Sequence, residues 1–194
     1  ERGRTWVAQF RIAQSCNAHQ TVSMIVRRER HDDINAIDAV HRSAFATDDG
    51  SEPYEVGLVH QLRQDAGWLP ALTFIAEQAG TVVGHICLTR ATVGFVPVAA
   101  LGPIGVLRDR RGDGIGGALM HAAIGAADAL EEPLIGLLGH LDYYPRFGFV
   151  NGGSVGVEPD QPDWSSHFQV RTLTAYSGER GELRYAAPFY ATPE

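Results

Sequence analysis

The chain has 194 residues, of which 44% are hydrophobic, and its 16 basic and 23 acidic side chains give a formal net charge of -7 at pH 7. This length predicts one domain with enough chain to bury a core. The acidic balance argues against nonspecific nucleic-acid binding, which usually needs a basic face, and the lack of any apolar run of about 18 residues argues against a membrane span.

Cys16 and Cys87 are the two cysteines, and neither they nor the eight histidines show the spacing of a metal site. We therefore expect no bound metal. Two isolated cysteines fit a reducing compartment, so a cytoplasmic location is expected.

Residues 1–23 lack the apolar segment of a secretory signal. We expect them to be an extension ahead of a natural start at Met24, the alternative being a genuine N-terminal arm. Residues 24–194 then form the one folded domain.

The domain is expected to begin with a strand and two helices. The strand-like run Met24–Arg28 predicts the strand, and Asp33 is expected to cap a helix whose apolar positions between residues 34 and 45 follow helical spacing. An acidic loop is predicted at residues 47–52, and Pro53 suits the first turn of a second helix.

The middle of the chain predicts three strands and a helix. Residues 72–77 and Thr81–Val93 are expected to be strands joined by a tight turn at Ala79-Gly80. A further apolar strand is predicted at 99–106, and an alanine-rich helix at 115–130.

The last part of the chain predicts shorter elements. Leu134–Leu138 is expected to be a buried strand, and a short helix is expected near Asp142, ending before Gly148. Residues 168–173 and 183–188 are predicted as two final strands around a turn at Ser177-Gly178, forming a hairpin. The resulting order, β-α-α-β-β-β-α-β-α-β-β, predicts a single α/β domain with a mixed sheet.

The loop between the strand at 99–106 and the following helix is basic and rich in glycine. Arg108, Arg110 and Arg111 precede Gly112 and Gly114 in it. The first N–H groups of a helix have no partner within the helix, and the helix dipole adds partial positive charge there. This loop therefore predicts a cradle for a pyrophosphate.

Two known phosphate motifs fit the loop poorly. The spacing Gly112-x-Gly114-x-x-Gly117 matches the dinucleotide fingerprint, but the acidic pair Glu131 and Glu132 precedes the next strand instead of ending it. A phosphate loop of the Walker type needs a lysine after its glycines, and none follows here.

Two motifs resemble those of the GNAT superfamily of N-acetyltransferases. Arg111, Gly114 and Gly116 fill the pattern Arg/Gln-x-x-Gly-x-Gly/Ala of its acyl-coenzyme A loop, following a run at 101–107 similar to its fourth strand. The run Tyr-Tyr-Pro-Arg-Phe-Gly-Phe at 143–149 is similar to its Tyr-x-x-x-Gly-Phe signature. The similarity extends over residues 24–189 and is greatest to the bacterial YhbS-type branch.

The resemblance implies a GNAT-like fold, with a mostly antiparallel mixed sheet flanked by helices, and acetyl transfer from acetyl-CoA to an amine. Transfer is expected to be direct, because no nucleophile is evident for a covalent intermediate, and the backbone N–H near Val106 is the implied donor to the carbonyl oxygen. A noncatalytic acyl-CoA sensor is the alternative. The residues expected to bind acetyl-CoA are Ile104, Val106, Arg111, Gly112, Asp113, Gly114, Ile115, Gly116, Gly117 and Tyr144.

Tyr144 aligns with the tyrosine that serves as general acid in many family members. A tyrosine with a pKa of about 10 keeps its proton at pH 7 and can give it to a departing thiolate. The alternative is an aromatic side chain that packs against the coenzyme without transferring a proton.

The attacking amine must be neutral, yet an alkylamine with a pKa of about 10.4 is only about 0.04% neutral at pH 7. Glu77, His85 and His140 are the candidates for a general base that removes its proton. Water alone, or an acceptor amine of low pKa, is the alternative.

The acceptor itself is not named by the sequence. By resemblance, its pocket is bounded by the segment between the first two helices and by the final hairpin. The first of these is acidic, with Asp48, Asp49, Glu52 and Glu55, which would suit a cationic small-molecule or peptide amine, unless it is an ordinary solvated loop. Family habit also suggests a homodimer.

Overall fold

The computed structural model describes residues 23–191. Residues 1–22, which include Cys16 and nearly all of the expected N-terminal extension, lie outside this part of the chain, as do residues 192–194.

Three α-helices and nine strands make up the described residues, with short 3-10 turns between them. The helices are α1 (Ile34–Ala44), α2 (Tyr54–Gln64) and α3 (Ile115–Ala129). The strands are β1 (Met24–Arg28), β2 (Trp68–Gln78), β3 (Thr81–Val93), β4 (Val96–Val106), β5 (Leu134–Leu138), β6 (Val150–Asn151), β7 (Val157–Pro159), β8 (Phe168–Thr172) and β9 (Gly181–Arg184).

The strands form one sheet in the order β1-β2-β3-β4-β5-β8-β6, with β9 pairing to β3 and β7. Neighbours are antiparallel except for the β4–β5 and β7–β9 pairs, which are parallel. The predicted class, a mostly antiparallel mixed sheet in one α/β domain, is therefore confirmed.

Helices cover both faces of the sheet, because successive residues of a strand point to opposite faces. A Cβ on Gly84 of β3 would lie 2.9 Å from Ile115 of α3. The next residue, His85, bonds to His41 of α1. Thus α3 packs on one face, and α1 lies on the other.

The expected final hairpin is wrong. β8 pairs with β5 and β6, whereas β9 pairs with β3 and β7, so the two strands around Ser177-Gly178 are not neighbours. The predicted strand at 183–188 also stops early, because the Tyr185 N–H donates to the Tyr190 hydroxyl and residues 187–190 form a 3-10 turn. Both short strands β6 and β7 were missed.

Asp33 occupies the N-cap position of α1, as predicted, but its side chain makes no capping hydrogen bond to that helix. Its carboxylate instead accepts hydrogen bonds from both Nη atoms of Arg27, at 2.7 and 2.8 Å, and from the Arg30 N–H at 2.7 Å. The expected helix near Asp142 is a 3-10 turn, Tyr144–Phe147, which ends at Gly148.

The feature of the fold that positions the site is a separation of two strands. β4 and β5 pair only at Ala99 with Ile135 and Ala100 with Gly136, after which β4 runs on to Val106 alongside β3. This leaves one edge of β4 without a strand neighbour among the described residues. No helix in residues 23–191 has the length and apolar composition that crossing a membrane requires.

Candidate active site

One large cavity opens where β4 and β5 separate. It has a volume of about 1330 Å³ and is lined by β4, the loop before α3, the start of α3, the end of β5 and the aromatic segments of α2 and the C-terminus. Of the residues expected to bind acetyl-CoA, all but Asp113 line it. Asp113 is exposed and its N–H bonds to the Arg110 carbonyl at 3.4 Å, so it shapes the loop without facing the cavity.

The N-terminus of α3 presents bare backbone to this cavity. The first helical hydrogen bond runs from the Ala118 N–H to the Gly114 carbonyl at 3.0 Å, so the N–H groups of residues 115–117 have no carbonyl within the helix. Gly112 and Gly114 have φ angles of 92° and 81°, which only glycine adopts readily. A Cβ on Gly112, Gly114 or Gly117 would meet nothing within 4 Å, so this backbone is open to an anionic ligand.

The arginines of the loop divide into two groups. Arg110 and Arg111 line the cavity, whereas Arg108 does not. The Arg111 guanidinium also donates to the Ala44 carbonyl at 2.5 Å, and the Arg108 N–H donates to the Ser43 hydroxyl at 3.0 Å. The loop is thus held against the C-terminal end of α1 by the arginine that the acyl-CoA motif includes.

Every second backbone N–H group at the end of β4 points into the cavity. The Leu107 N–H donates to the Val83 carbonyl of β3 at 3.0 Å. In an antiparallel pair these bonds alternate along the strand, so the N–H groups of Ile104 and Val106 point away from β3. That side is where β5 has separated, and both residues line the cavity.

Two tyrosines follow β5 and form the opposite wall. Tyr144 is 8% exposed, and burial raises the pKa of its hydroxyl to about 12, with a smaller contribution from Tyr143. Its hydroxyl makes no hydrogen bond among the described residues. The Tyr143 hydroxyl instead lies against the start of α3: a Cβ added to Gly116 would be 2.7 Å from it.

The three candidate bases lie in different places. His140 is exposed and lines the cavity. Glu77 does not line it, and its carboxylate is occupied by Arg27 at 2.9 and 3.0 Å. His85 is also absent from the cavity wall and is fully buried under α1. The structure therefore places Glu77 in an ion-pair network and His85 in a core network, and of the three candidates only His140 lies at the cavity.

His85 belongs to a buried polar chain that the sequence did not indicate. Its Nε2 lies 3.1 Å from Glu29, which accepts from Arg63 at 2.7 Å, and its Nδ1 lies 2.8 Å from His41 Nε2. Burial lowers the pKa of His85, and it lowers the pKa of His41 to about 2, so both rings are neutral at pH 7. With Glu29 accepting from His85, the neutral His41 ring donates from Nε2 and keeps a bare Nδ1 beside Gly105.

The end of the cavity formed by α2 and the C-terminus is aromatic and contains one carboxylate. Glu55 is half-buried and lines the cavity, and within the described residues its carboxylate accepts a hydrogen bond only from its own backbone N–H. Burial raises its pKa. The rings that share this end of the cavity are Tyr54, Trp164, Tyr185 and Phe189, and Phe45 lines the cavity next to Ala44.

The other acidic residues of the 48–55 segment do not reach the cavity. Asp49 accepts a hydrogen bond from the Ser51 N–H at 3.0 Å, and Glu52 pairs with Arg42 at 2.8 Å on the surface. Asp48 is exposed. The acidic character of this segment is therefore reduced at the cavity to Glu55 alone.

Sequence reasoning missed most of this aromatic wall. Its rings come from segments far apart in the chain, and only tertiary contacts assemble them: Trp164 packs edge-on to Tyr185 with ring centroids 5.7 Å apart, and Tyr185 lies 5.2 Å from Phe189. The Tyr54 hydroxyl donates to the Pro188 carbonyl at 3.1 Å, which joins α2 to the C-terminal turn. No local pattern marks such a set in advance.

Comparison with known sequences points to one family. Residues 36–149 match the model of the acetyltransferase (GNAT) family. The chain is 33% identical over 143 residues to a protein of Escherichia coli strain K12 described as the uncharacterized N-acetyltransferase YjhQ, an alignment that covers 69% of this chain and 79% of that protein.

Solved structures give the same result. A GNAT family acetyltransferase from Brucella melitensis in complex with acetyl-CoA is 30% identical, with a TM-score of 0.71 over 87% of this chain and 99% of that one. The E. coli GNAT family N-acetyltransferase YhbS in complex with CoA is 26% identical, with a TM-score of 0.79 over 89% of this chain and 94% of that one.

Proposed function

Because the chain belongs to the acetyltransferase (GNAT) family, we propose that it transfers an acetyl group from acetyl-CoA directly to the amine of an acceptor. The observation that carries this proposal is the single cavity that joins the open N-terminus of α3, the separated edge of β4 and an aromatic end next to α2. Such a cavity has room for a nucleotide-bearing thioester at one end and for an acceptor at the other.

The start of α3 suits the pyrophosphate of acetyl-CoA. Its unpaired N–H groups and the charges of Arg110 and Arg111 favour an anion, and the glycines keep the backbone uncovered. The CoA-containing structures of two relatives support this assignment. Acetyl-CoA supplies an activated thioester carbonyl that a neutral amine can attack.

The Val106 N–H is the proposed donor to the carbonyl oxygen. Its direction away from β3 supports this role, because a fixed backbone donor can stabilise the negative charge that develops on that oxygen. Removal of such a donor typically costs about 3–4 kcal/mol of transition-state stabilisation.

Two side chains at the end of β5 are the proposed proton carriers. Tyr144 holds its proton at neutral pH because burial raises its pKa to about 12, so it can protonate the departing thiolate. His140 lines the same cavity and is the proposed acceptor of the proton that nitrogen loses as the new carbon–nitrogen bond forms.

Direct transfer is supported by the position of Cys87. Its thiol is fully buried, burial raises its pKa well above the usual value, and it does not line the cavity. A thiol in this state is a poor nucleophile, because the thiolate is the reactive form.

Calorimetric titration with acetyl-CoA, with NADH as the comparator, tests the first half of the proposal. We expect micromolar binding of acetyl-CoA and none of NADH. The same protein, mixed with acetyl-CoA and a panel of primary amines, should then release free thiol. Binding without thiol release from any amine would favour a noncatalytic acyl-CoA sensor, and a failure to bind acetyl-CoA would contradict both functions.

A further inference from the structure

The cavity contains charged groups of opposite sign on different elements. Its guanidinium groups come from the loop before α3 and from the turn after β5, as Arg110, Arg111 and Arg146. Its only carboxylate among the described residues is Glu55, in the first turn of α2. An anionic thioester at the start of α3 therefore leaves the negative end of the cavity to the acceptor.

The surroundings of Glu55 indicate a ligand with an apolar body. Aromatic rings dominate this end, and Phe189 also packs over β4, since a Cβ on Gly102 would lie 3.5 Å from its ring. Rings of this kind bind flat or aliphatic groups by apolar contact, and their faces attract an ammonium group. In residues 23–191 the half-buried Glu55 carboxylate has no cationic partner and accepts a hydrogen bond only from its own backbone N–H, so a bound cation would stabilise it.

We propose that Glu55 binds the ammonium group of the acceptor, and that the preferred acceptor is a hydrophobic primary amine with a single positive charge. This inference rests on the proposed acetyl transfer. One carboxylate can neutralise one charge, so the further cations of a polyamine or an aminoglycoside would lie among aromatic rings without a second carboxylate in the described lining. Moving a charge out of water without an ionic partner costs on the order of several kcal/mol of free energy.

In this proposal Glu55 also accepts the proton that the ammonium group loses before attack, whereas His140 accepts the one that nitrogen loses as the new bond forms. The ammonium N–H bond breaks, the proton passes to a Glu55 carboxylate oxygen, and the freed nitrogen lone pair forms the bond to the thioester carbon. Glu55 later returns the proton to solvent. Burial raises the pKa of Glu55, which makes the carboxylate a better proton acceptor than an exposed one.

The test compares Glu55→Gln with Glu52→Gln in the full chain. Glu52 is a matched control, because it lies three residues away, pairs with Arg42 on the surface and does not line the cavity. With saturating acetyl-CoA, we expect the wild type to acetylate 2-phenylethylamine with a kcat/KM at least tenfold above that for spermidine. Glu55→Gln should lower the kcat/KM for 2-phenylethylamine at least tenfold, and Glu52→Gln should leave this kcat/KM within twofold of the wild-type value.

A binding measurement makes the test independent of turnover. Calorimetry on the CoA-bound protein should give at least tenfold tighter binding of 2-phenylethylamine than of its neutral analogue 2-phenylethanol, and Glu55→Gln should remove the difference. Equal binding of amine and alcohol by the wild type, an unchanged Glu55→Gln variant, or a preference for spermidine would overturn this inference. Turnover of spermidine would leave the acetyltransferase proposal standing, whereas a failure to bind acetyl-CoA would remove that proposal first.

Discussion

Tyr143 and Tyr144 are adjacent in sequence, but their hydroxyl groups serve different parts of the cavity. The two rings meet edge to face, with centroids 5.0 Å apart. Tyr143 extends toward Gly116 at the start of α3, whereas Tyr144 is buried against Gly139 and the core beneath α3. Substitution of each tyrosine by phenylalanine can therefore distinguish a hydroxyl that donates a proton from a ring that only packs.

Tyr144→Phe should lower kcat at least tenfold with little change in the affinity for acetyl-CoA, because the ring that packs in the core is retained and only the proton donor is lost. Tyr143→Phe, the matched control, should mainly change KM for acetyl-CoA. Steady-state kinetics with calorimetric binding of acetyl-CoA measure both effects. An unchanged kcat in Tyr144→Phe would show that the tyrosine only packs against the coenzyme.

Among the elements, α3 lines the cavity with its first turn, and the glycines before and within this helix have two different roles. Gly114 precedes the helix with a φ angle of 81°, whereas Gly125 lies in the middle of α3 and is exposed. Neither would bring a Cβ within 4 Å of another atom. The two positions thus differ in backbone conformation and in distance from the cavity, but an added methyl group would clash at neither of them.

Alanine at these two positions should change stability in opposite directions. Gly125→Ala should raise the free energy of unfolding by about 0.5–1 kcal/mol through helix propensity, and leave acetyl-CoA affinity unchanged. Gly114→Ala should lower it by about 1 kcal/mol through left-handed strain and weaken acetyl-CoA binding, because the loop must shift. Denaturant unfolding and calorimetry measure these changes; equal acetyl-CoA affinities in both variants would argue against a pyrophosphate site at this helix.

For the molecule as a whole, buried polar contacts tie both helices of one face to the sheet. The chain from Arg63 on α2 through Glu29 and His85 to His41 on α1 crosses the face opposite α3. Both imidazoles are buried and neutral in the folded protein, whereas the unfolded chain can protonate them. The folded state therefore binds fewer protons than the unfolded state below the unfolded pKa of about 6.5.

For this reason, the protein should become less stable as the pH is lowered. Between pH 7.5 and 5.5, His41 alone should remove about 1.4 kcal/mol from the free energy of unfolding, because its folded pKa of about 2 lies below that whole interval. His41→Gln keeps a donor for His85 Nδ1 but does not titrate, so its loss over the interval should be smaller by that amount. His31→Gln, at an exposed position, should follow the wild type. Identical pH dependence in all three proteins would contradict the neutral buried chain.

The sequence itself determined the local elements and the glycine-rich loop before α3. Hydrophobic periodicity located the three helices and the strands from Met24 to Leu138, because each pattern is set by residues a few positions apart. The arginines and glycines of 108–117 predicted an anion site for the same reason: loop, helix start and charge are all local.

Only the tertiary structure decided the partners of the late strands and which residues line the end of the cavity next to α2. β9 pairs with β3, and Glu55 lines the same cavity as rings from residues more than 100 positions away, so no short pattern records either arrangement. Glu77 and His85 had the right chemistry and suitable strand positions, but the fold gave them buried partners, Arg27 and His41, in place of the cavity. Local sequence determines which chemistry is present, whereas contacts between distant segments determine which of it faces a ligand.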